Sequence, residues 1–242
     1  MIFKGKFVFL VFAFLILTAF AGFSEAKTIY VPDSYEKIQW AVDNAIAGDT
    51  IIVRDGTYYE NLKVDKQLTI KSENGSANCI IDGGGSGSVI TLNANGITIE
   101  GFTVRNSGTS WSDAGIKVNS DNNSITGNNI SNNWYGIHLW YSSNNSITNN
   151  NLSSNNWSGI CLAYSSSNSI TNNNLSSNNW DGIYLYSSSN NSITDNNISN
   201  NWNGIHLAYS SNNKIYLNNF IDNTCQVYSY DSTNTWNSTE MI

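Results

Sequence analysis

Residues 136–157 read GIHLWYSSNNSITNNNLSSNNW, and close variants of this stretch occur five times in all between residues 115 and 220. Each copy begins with Gly-Ile, continues through a tract rich in Tyr, Ser and Asn, and then reaches a second isoleucine and a pair of asparagines. The glycines that begin the copies are Gly115, Gly136, Gly159, Gly182 and Gly204. A repeat period of about 22 residues with short apolar segments is typical of a solenoid of stacked coils.

The apolar segments of each copy predict β-strands, because they are too short for helices and rich in β-branched residues. Alternation places Ile137 and Leu139 on one face of a strand and His138 on the other. One coil cannot bury its apolar face alone, but stacking at about 4.8 Å per rung joins equivalent residues into continuous columns. The sequence therefore predicts an all-β solenoid with coils of about 22 residues. A disordered low-complexity tract is the alternative, and the strict phase of the aliphatic residues argues against it.

A pair of asparagines follows each second-strand isoleucine, as Asn173 and Asn174 follow Ile170. Stacked amides form hydrogen bonds along a column, and Asn tolerates the left-handed backbone of sharp turns. We expect these columns to hold the coils in register, with the amide of Asn174 satisfying buried neighbours.

The N-terminal residues 1–26 predict a signal peptide. Lys4 and Lys6 precede an apolar run over residues 7–20, and small residues flank the expected cleavage point after Ala26. A retained membrane anchor is the alternative, although the run is short for a membrane span. Cleavage would change the formal net charge from −7 to −8, because two lysines and one glutamate are lost. This acidic balance does not favour nucleic-acid binding.

Residues 27–60 predict an N-terminal cap formed by a helix and the first strands. Asp33 and Glu36 fit a capping box, and Gly48 is a stop signal after an amphipathic stretch of about three turns. Such a helix would cover the first coil of a solenoid. Its apolar stripe consists of Ile38, Ala41, Val42 and Ala45.

Residues 61–221 contain the β-helix repeats, and residues 222–242 predict an irregular C-terminal tail. That tail offers neither a closing helix nor a charged cap for the last coil, which ends near Phe220. Because exposed strand edges invite pairing, the sequence predicts end-to-end self-association.

Two groups of motifs resemble a known family. YVPDSYEKIQWAVDNA (30–45), GDTIIV (48–53) and DGTY (55–58) resemble the N-terminal cap of pectin-lyase-like proteins. The Gly-Ile-x-Leu and Asn-Ser-Ile-Thr-x-Asn-Asn-Leu-Ser units resemble the NosD-type repeat of carbohydrate-binding and sugar-hydrolysis domains, which is abundant in archaeal surface proteins. The resemblance implies a right-handed parallel β-helix that is secreted or displayed at the cell surface. It says little about activity, because this scaffold carries lyases, epimerases, adhesins and copper-maturation proteins alike.

Charged residues are too sparse in the repeats to indicate catalysis. Between residues 125 and 221 they are Asp181, Asp195 and Lys214. A glycosidase needs two carboxyl groups roughly 5–9.5 Å apart, and neither aspartate has an acidic partner at the same repeat position. We therefore expect no catalytic residue. A polysaccharide hydrolase or lyase is the alternative, with Asp113 and Asp121 as its residual candidates.

Metal binding is a further alternative that the resemblance to NosD suggests. Lys117, His138, Cys161, Tyr184 and His206 form one outward column, in which His138 and Cys161 are adjacent and could suit copper or zinc. His206 would lie about 14 Å from His138, too far for the same ion. We favour a solvent-exposed column of variable residues, with no metal and no other cofactor.

Aromatic residues supply the remaining functional signal. Four tryptophans each precede a Gly-Ile glycine by two residues, and three tyrosines each follow one by five. Rows of flat rings could stack on sugars, so a polysaccharide or surface glycan is the expected partner; alternatively, the rings stack on one another and stabilise the coils. The sequence does not reveal which side of the coil they occupy. The candidates are Trp134, Trp157, Trp180, Trp202, Tyr141, Tyr164 and Tyr209.

Ten Asn-x-Ser/Thr sequons are present, and several of them follow directly from the Asn-(Ile/Leu)-Ser repeat. Glycosylation of some is expected in a secreted protein. The asparagines are Asn74, Asn122, Asn129, Asn144, Asn151, Asn156, Asn174, Asn190, Asn197 and Asn237.

Overall fold

The computed structural model describes residues 25–236. The signal peptide predicted for residues 1–26 falls almost wholly outside this range and stays a prediction. Within the described range, no helix is long and apolar enough to cross a membrane. The first elements are β1 (Thr28–Val31), α1 (Ile38–Asn44), β2 (Thr50–Val53), β3 (Gly56–Tyr59), β4 (Leu62–Val64), β5 (Thr69–Ser72), β6 (Cys79–Asp82), β7 (Ile90–Leu92), β8 (Thr98–Glu100) and β9 (Thr103–Arg105). The regular repeats then supply β10 (Ala114–Val118), β11 (Ser124–Thr126), β12 (Asn129–Ser131), β13 (Tyr135–Trp140), β14 (Ser146–Thr148), β15 (Asn151–Ser153), β16 (Ile160–Ala163), β17 (Ser169–Thr171), β18 (Asn174–Ser176), β19 (Asp181–Tyr186), β20 (Ser192–Thr194), β21 (Asn197–Ser199), β22 (Asn203–Ala208), β23 (Lys214–Tyr216), β24 (Asn219–Ile221) and β25 (Cys225–Tyr230).

The strands form three parallel sheets that run the length of the molecule. Sheet 1 has the order β1-β2-β5-β8-β11-β14-β17-β20-β23, sheet 2 runs from β3 through β6, β9, β12, β15, β18 and β21 to β24, and sheet 3 runs from β4 through β7, β10, β13, β16, β19 and β22 to β25. Each coil contributes one strand to each sheet, and about nine coils of roughly 23 residues stack in this way. The prediction of an all-β, right-handed parallel β-helix is confirmed.

The core consists of aliphatic columns in strict register. In sheet 1, Ile125 pairs with Ile147, which pairs with Ile170 and then with Ile193. All four side chains are fully buried. Burial of each such side chain is worth about 1.5–3 kcal/mol, so repetition of one residue type supplies both the stability and the register of the stack.

Asparagine ladders line all three corners of the coil. In each ladder the side-chain oxygen of one asparagine accepts hydrogen bonds from the backbone N–H and the side-chain amide of its equivalent in the preceding coil, as Asn173 does from Asn150. The residue before each ladder position has a left-handed backbone, for example Asn149 with φ 58° and Ser154 with φ 57°. The ladders are Asn128, Asn150, Asn173, Asn196 and Asn218; Asn133, Asn155, Asn178, Asn201 and Asn223; and Asn123, Asn145, Asn168, Asn191 and Asn213.

The buried asparagine after sheet 1 is therefore the first of each pair. Asn173 is 1% exposed, whereas Asn174 points outward and donates to Asn151 in a surface ladder. The prediction that the amide of Asn174 satisfies buried neighbours was wrong by one residue. Strand alternation resumes only after the corner, so the sequence pair alone does not reveal which member turns inward.

Helix α1 covers the first coil with the buried residues Ile38, Ala41 and Val42. It is seven residues long, shorter than predicted, and its capping differs from the sequence prediction. No side-chain hydrogen bond forms at its N-cap. Instead, the carboxylate of Glu60 accepts hydrogen bonds from the backbone N–H groups of Ile38 and Gln39, at 2.9 and 3.0 Å. The capping box is absent because the helix begins at Ile38 with Lys37 as its N-cap, after both Asp33 and Glu36. Asp33 instead pairs with Arg54 at 2.6 Å.

The segment predicted as an irregular tail contains a regular strand. β25 pairs with β22 in sheet 3, with Val227 beside Ile205. Gln226 occupies the position that glycine holds in earlier coils. A Cβ atom at Gly204 would approach the backbone oxygen of Gln226 to 2.5 Å, so a coil stacked above imposes glycine on the coil below. Among the described residues nothing stacks above Gln226, and a larger side chain fits.

Candidate functional site

The four candidate tryptophans lie outside the coil, along the edge where the chain enters sheet 3. Trp180 and Trp202 are 47% and 56% exposed, and Trp134 and Trp157 are half-buried. Trp134 stacks on Trp157 with ring centroids 5.9 Å apart, and Trp157 stacks on Trp180 at 5.0 Å. The rings in each pair are within 22° of parallel.

This stacking changes what the tryptophan row can bind. Both faces of Trp157 are covered by its neighbours, and a sugar ring cannot enter gaps of 5.0 and 5.9 Å between centroids. The row of four rings open to sugar, expected from the sequence, is therefore interrupted. Trp134, Trp157 and Trp180 stabilise one another, and the continuous stack ends at Trp180.

A cleft opens between Trp180 and the next tryptophan. A cavity of about 260 Å³ is lined by Asn179, Trp180 and Trp202. Spacing alone does not account for the break. Asn156 and Asn179 are extra residues before Trp157 and Trp180, whereas Trp134 and Trp202 directly follow their ladder residues. Trp134 nevertheless stacks on Trp157. We call this space the Trp180–Trp202 cleft.

A second cavity of about 320 Å³ adjoins the cleft, sharing Asn179 and Trp202 with it. Apart from Trp202, its lining residues carry amide, hydroxyl or carboxylate side chains. The lining residues are Ser177, Asn178, Asn179, Asn200, Asn201, Trp202, Asp222 and Thr224.

The three candidate tyrosines lie on the opposite edge of sheet 3, where the chain leaves it. Tyr141, Tyr164 and Tyr209 have φ values of 49°, 53° and 53° and are 38–63% exposed. The rings of Tyr141 and Tyr164 stack at 4.8 Å. Tyr209 instead meets the edges of Tyr186 and Tyr230. The tyrosine and tryptophan rows therefore flank the outer face of sheet 3 on its two sides.

An aromatic recess of about 190 Å³ lies on the outer face of sheet 3, between these two rows. Sequence reasoning missed most of its walls. The available signal was the residue four positions after the glycine in the last four copies. It reads Trp140, Ala163, Tyr186 and Ala208 and alternates between large and small. The recess is lined by Trp111, Tyr135, His138, Trp140, Cys161, Ala163, Tyr184 and Tyr186.

The two candidate metal ligands meet in this recess as cross-strand neighbours. His138 and Cys161 are 3% and 2% exposed, so the prediction of a solvent-exposed column was wrong at these positions: the surrounding rings cover them. Burial lowers the pKa of His138 to about 4 and raises the pKa of the Cys161 thiol. The Nδ1 atom of His138 is buried without a hydrogen-bond partner.

The donors of this pair do not fit a metal centre. Burial raises the pKa of the Cys161 thiol, so a metal bound there would have to displace the thiol proton. Within residues 25–236, no three His, Cys, Asp or Glu side chains converge as metal ligands. His206 does not join the pair, since its Nδ1 atom faces Asp181 at 3.5 Å.

The aspartates considered as catalytic candidates form hydrogen bonds with nearby residues. Asp181 is buried and accepts hydrogen bonds from Ser158 and Asn203, its column neighbours. Asp113 accepts from the backbone N–H of Ser110. Asp181 therefore links its coil to both neighbouring coils, and Asp113 is engaged within its own turn.

Asp121 and Asp195 occupy the turns. Asp121 accepts from the backbone N–H of Ser143 at 2.7 Å, and Asp195 is exposed at a left-handed position with φ 59°. Neither lines the Trp180–Trp202 cleft or the adjoining cavity, in which Asp222 is the one carboxylate.

The fold is similar to that of several solved β-helix structures. The enzymatically active domain of tailspike protein 2 from bacteriophage CBA120 gives a TM-score of 0.63 at 15% identity, over 82% of this chain and 40% of that chain. The pectate lyase Pel9A gives 0.58 at 13% identity, over 90% and 80% of the two chains. The pectin methylesterase of Aspergillus niger gives 0.58 at 14% identity, over 89% and 86%. Identities this low show the fold alone.

Two sequence comparisons identify the protein family to which the chain belongs. A cell surface glycoprotein of Methanothermus fervidus is 40% identical over 104 residues, which are 41% of this chain and 17% of that protein. The chain thus spans a small part of this relative's length. The family model described as "Periplasmic copper-binding protein (NosD)" matches residues 42–242. Because that match covers most of the chain, and the resemblance noted in the repeats is confirmed, this β-helix protein belongs to the NosD family.

Proposed function

We propose that the chain is a surface β-helix protein that binds an uncharged glycan in the Trp180–Trp202 cleft without cleaving it. The observation that carries this proposal is the break in the tryptophan stack. The cavity of about 260 Å³ is lined by two exposed indoles, and the apolar faces of a pyranose ring pack well against indole rings. Ligand sites commonly combine such apolar walls with a few oriented polar groups.

The polar wall beside the cleft suits sugar hydroxyl groups. Asn179, Asn200 and Thr224 bring amide and hydroxyl groups that both donate and accept hydrogen bonds. Asp222 adds a carboxylate acceptor. A polyhydroxylated ligand can pair with this mixture of groups, whereas an apolar ligand would leave them unsatisfied.

The charge distribution favours a neutral glycan over a uronate polymer. From residue 125 to residue 236, Lys214 is the only lysine or arginine. A polymer of uronic acids would bring one carboxylate per sugar and find almost no cation to pair with. The proposed ligand therefore differs in charge from the pectate of the similar pectate lyase Pel9A.

Binding without cleavage is supported by the single carboxylate in the cavity that adjoins the cleft. Hydrolysis of a glycosidic bond uses a pair of carboxyl groups, and Asp222 is the one acidic residue in these walls. A polysaccharide hydrolase or lyase is the competing hypothesis. Copper binding, which the name of the NosD family suggests, gains no support from His138 and Cys161, because this pair does not fit a metal centre.

The test compares two tryptophans of the same row. Trp202→Ala removes one wall of the cleft, and Trp134→Ala removes a ring at the far end of the stack. Binding of wild type and both variants to a panel of neutral and acidic polysaccharides is measured by tryptophan fluorescence and by affinity electrophoresis. Loss of a buried tryptophan contact typically costs about 2 kcal/mol or more, so Trp202→Ala should weaken binding roughly 30-fold. Trp134→Ala should change it little.

The outcomes separate the hypotheses. Equal loss in both variants, or a wild type that binds none of the neutral polysaccharides, contradicts a site in the cleft. Release of reducing ends, or of unsaturated sugars, during incubation with any polysaccharide would establish the enzyme instead. Circular dichroism of both variants confirms that the coil is intact.

A further inference from the structure

The sequons of this chain fall into distinct structural settings, although their sequences look alike. Four lie in the strands of sheet 2, and three lie at the corner where the chain passes from sheet 3 to sheet 1. The strand group is Asn129, Asn151, Asn174 and Asn197, and the corner group is Asn122, Asn144 and Asn190.

The strand group is engaged in a surface ladder. Asn174 donates from its side-chain amide to the side-chain oxygen of Asn151 at 2.7 Å, and Asn197 donates to Asn174 at 2.8 Å. Equivalent bonds join Asn151 to Asn129. Neighbouring rungs are about 4.8 Å apart. A sugar attached to one of these nitrogens would press against the amides above and below it.

The corner group is free of such bonds. Asn122, Asn144 and Asn190 are exposed and have left-handed φ values of 60°, 58° and 60°. The backbone N–H groups of Asn122 and Asn190 bond to the next coil, whereas the side-chain amides of all three make no hydrogen bond within residues 25–236. The backbone therefore presents each carboxamide outward from the tip of a turn.

We propose that this corner is a column of N-glycosylation sites, and that Asn122, Asn144 and Asn190 carry the sugars. The inference assumes only that the chain reaches the cell surface, and it does not depend on the Trp180–Trp202 cleft. In the reaction, the Nδ2 atom forms a bond to the anomeric carbon of a lipid-linked oligosaccharyl phosphate. The bond from that carbon to the phosphate oxygen breaks, the phosphate leaves with the lipid, and the amide gives up one proton.

The position of the corner is compatible with an open binding face. The corner follows the tyrosine edge of sheet 3 by three residues, as Asn144 follows Tyr141. The tryptophans occupy the other edge of the same sheet. Glycans at this corner would therefore cover the side of the coil remote from Trp180 and Trp202.

The coil after Asn190 provides an internal control, because its equivalent asparagine lacks a complete sequon. Asn212 is exposed at the same place in the turn, with φ 59°. Its sequon is incomplete because Lys214 stands where Ser192 stands in the preceding coil. Lys214→Ser restores the serine of the column and completes a sequon at an exposed residue.

The experiment uses the full chain, secreted from a host that attaches N-glycans at Asn-x-Ser/Thr, with site occupancy measured by glycopeptide mass spectrometry. The expected result is occupancy at corner sequons well above that at the four strand sequons, and a new glycan at Asn212 in Lys214→Ser. Asn190→Gln should remove one glycan mass, whereas Asn174→Gln should remove none. Higher occupancy in the strand group, no gain at Asn212, or secreted protein with an unmodified corner would overturn the proposal.

Discussion

The side-chain oxygen of Asn173 accepts two hydrogen bonds from Asn150, one from its backbone N–H at 2.9 Å and one from its side-chain amide at 3.1 Å. The amide of Asn173 in turn donates to the backbone oxygens of Ile147 and Thr171 at 2.9 and 3.1 Å. One buried side chain thus satisfies polar groups in its own coil and in the coil before it. This arrangement makes the ladder at each corner a structural element comparable in importance to the aliphatic core.

Replacing Asn173 with leucine should destabilise the protein by about 1–3 kcal/mol, because the N–H of Asn150 and the carbonyl of Ile147 would be buried without partners. Urea unfolding measures the loss. Asn174→Leu is the matched control on the adjacent residue, and it should cost less, since its amide bonds lie at the surface. A larger loss for Asn174→Leu would show that the outer ladder carries the register.

Gly182→Ala should destabilise the stack by about 1–3 kcal/mol through overpacking. A Cβ atom at this position would lie 2.6 Å from the backbone oxygen of Gly204 and 2.6 Å from Ile198, so the coils would have to separate. Thermal unfolding monitored by circular dichroism provides the measurement. Ser176→Ala, on the outer face of β18, serves as a control and should change little. An unchanged Tm in Gly182→Ala would contradict close packing between these coils.

The stability of the protein should fall as the pH drops from about 6.5 towards 4, in part because of His138. Its pKa in the folded protein is about 4, against an ordinary value of 6.5, so the unfolded chain binds a proton that the folded chain excludes. This group contributes fully above the unfolded pKa and loses its contribution as the pH falls. Between pH 7 and pH 5 the loss attributable to His138 should be about 1–2 kcal/mol.

His138→Phe isolates that contribution, because it keeps an aromatic ring in the recess and removes the titration. Urea unfolding of both proteins at the two pH values gives the comparison. The variant should lose less stability than wild type between them. Parallel pH profiles would mean that His138 is accessible to water and protons in the folded state.

Only one of the three thiols should react in the folded protein. Cys79 and Cys161 are buried, whereas Cys225 is half-buried. Burial raises the pKa of Cys79 to about 12 and that of Cys161 as well, so neither forms the reactive thiolate readily. A thiol reagent followed by mass spectrometry should label Cys225 first, and the other two after unfolding. Rapid labelling of Cys161 in native protein would show that the aromatic recess opens.

Much of the fold could be predicted because the same residue types recur at equivalent positions in successive coils. The spacing of Ile147, Ile170 and Ile193 fixes both the strand positions and the pairing partners, and the structure has them in that register. The corners resisted prediction for a physical reason: a left-handed residue interrupts strand alternation, so inward and outward positions cannot be counted through it. For this reason the sequence placed the buried amide at Asn174 and not at Asn173. For the same reason it did not predict which side of the coil the tryptophans occupy.

The candidate site was predictable in residue type but not in geometry. The phase of Trp180 and Trp202 was visible in the sequence, but the cleft between them was not. The same change in spacing separates Trp134 from Trp157, and that pair stacks. The recess that holds His138 and Cys161 is lined in part by Trp111, which comes from outside the repeat column. Such contacts between a regular array and an irregular loop leave no periodic signal. End-to-end self-association was also inferred from sequence, and it stays a prediction.

The corner ladders also have a direction. Every oxygen in them accepts from the coil before it, as Asn173 accepts from Asn150 and Asn196 accepts from Asn173. Each coil therefore presents hydrogen-bond acceptors to the preceding coil and donors to the following coil, so its two faces are complementary. A whole coil inserted between two others would find a matching partner on both faces. Length is thus a freely adjustable property of this architecture, changeable in units of one coil without redesign of any interface.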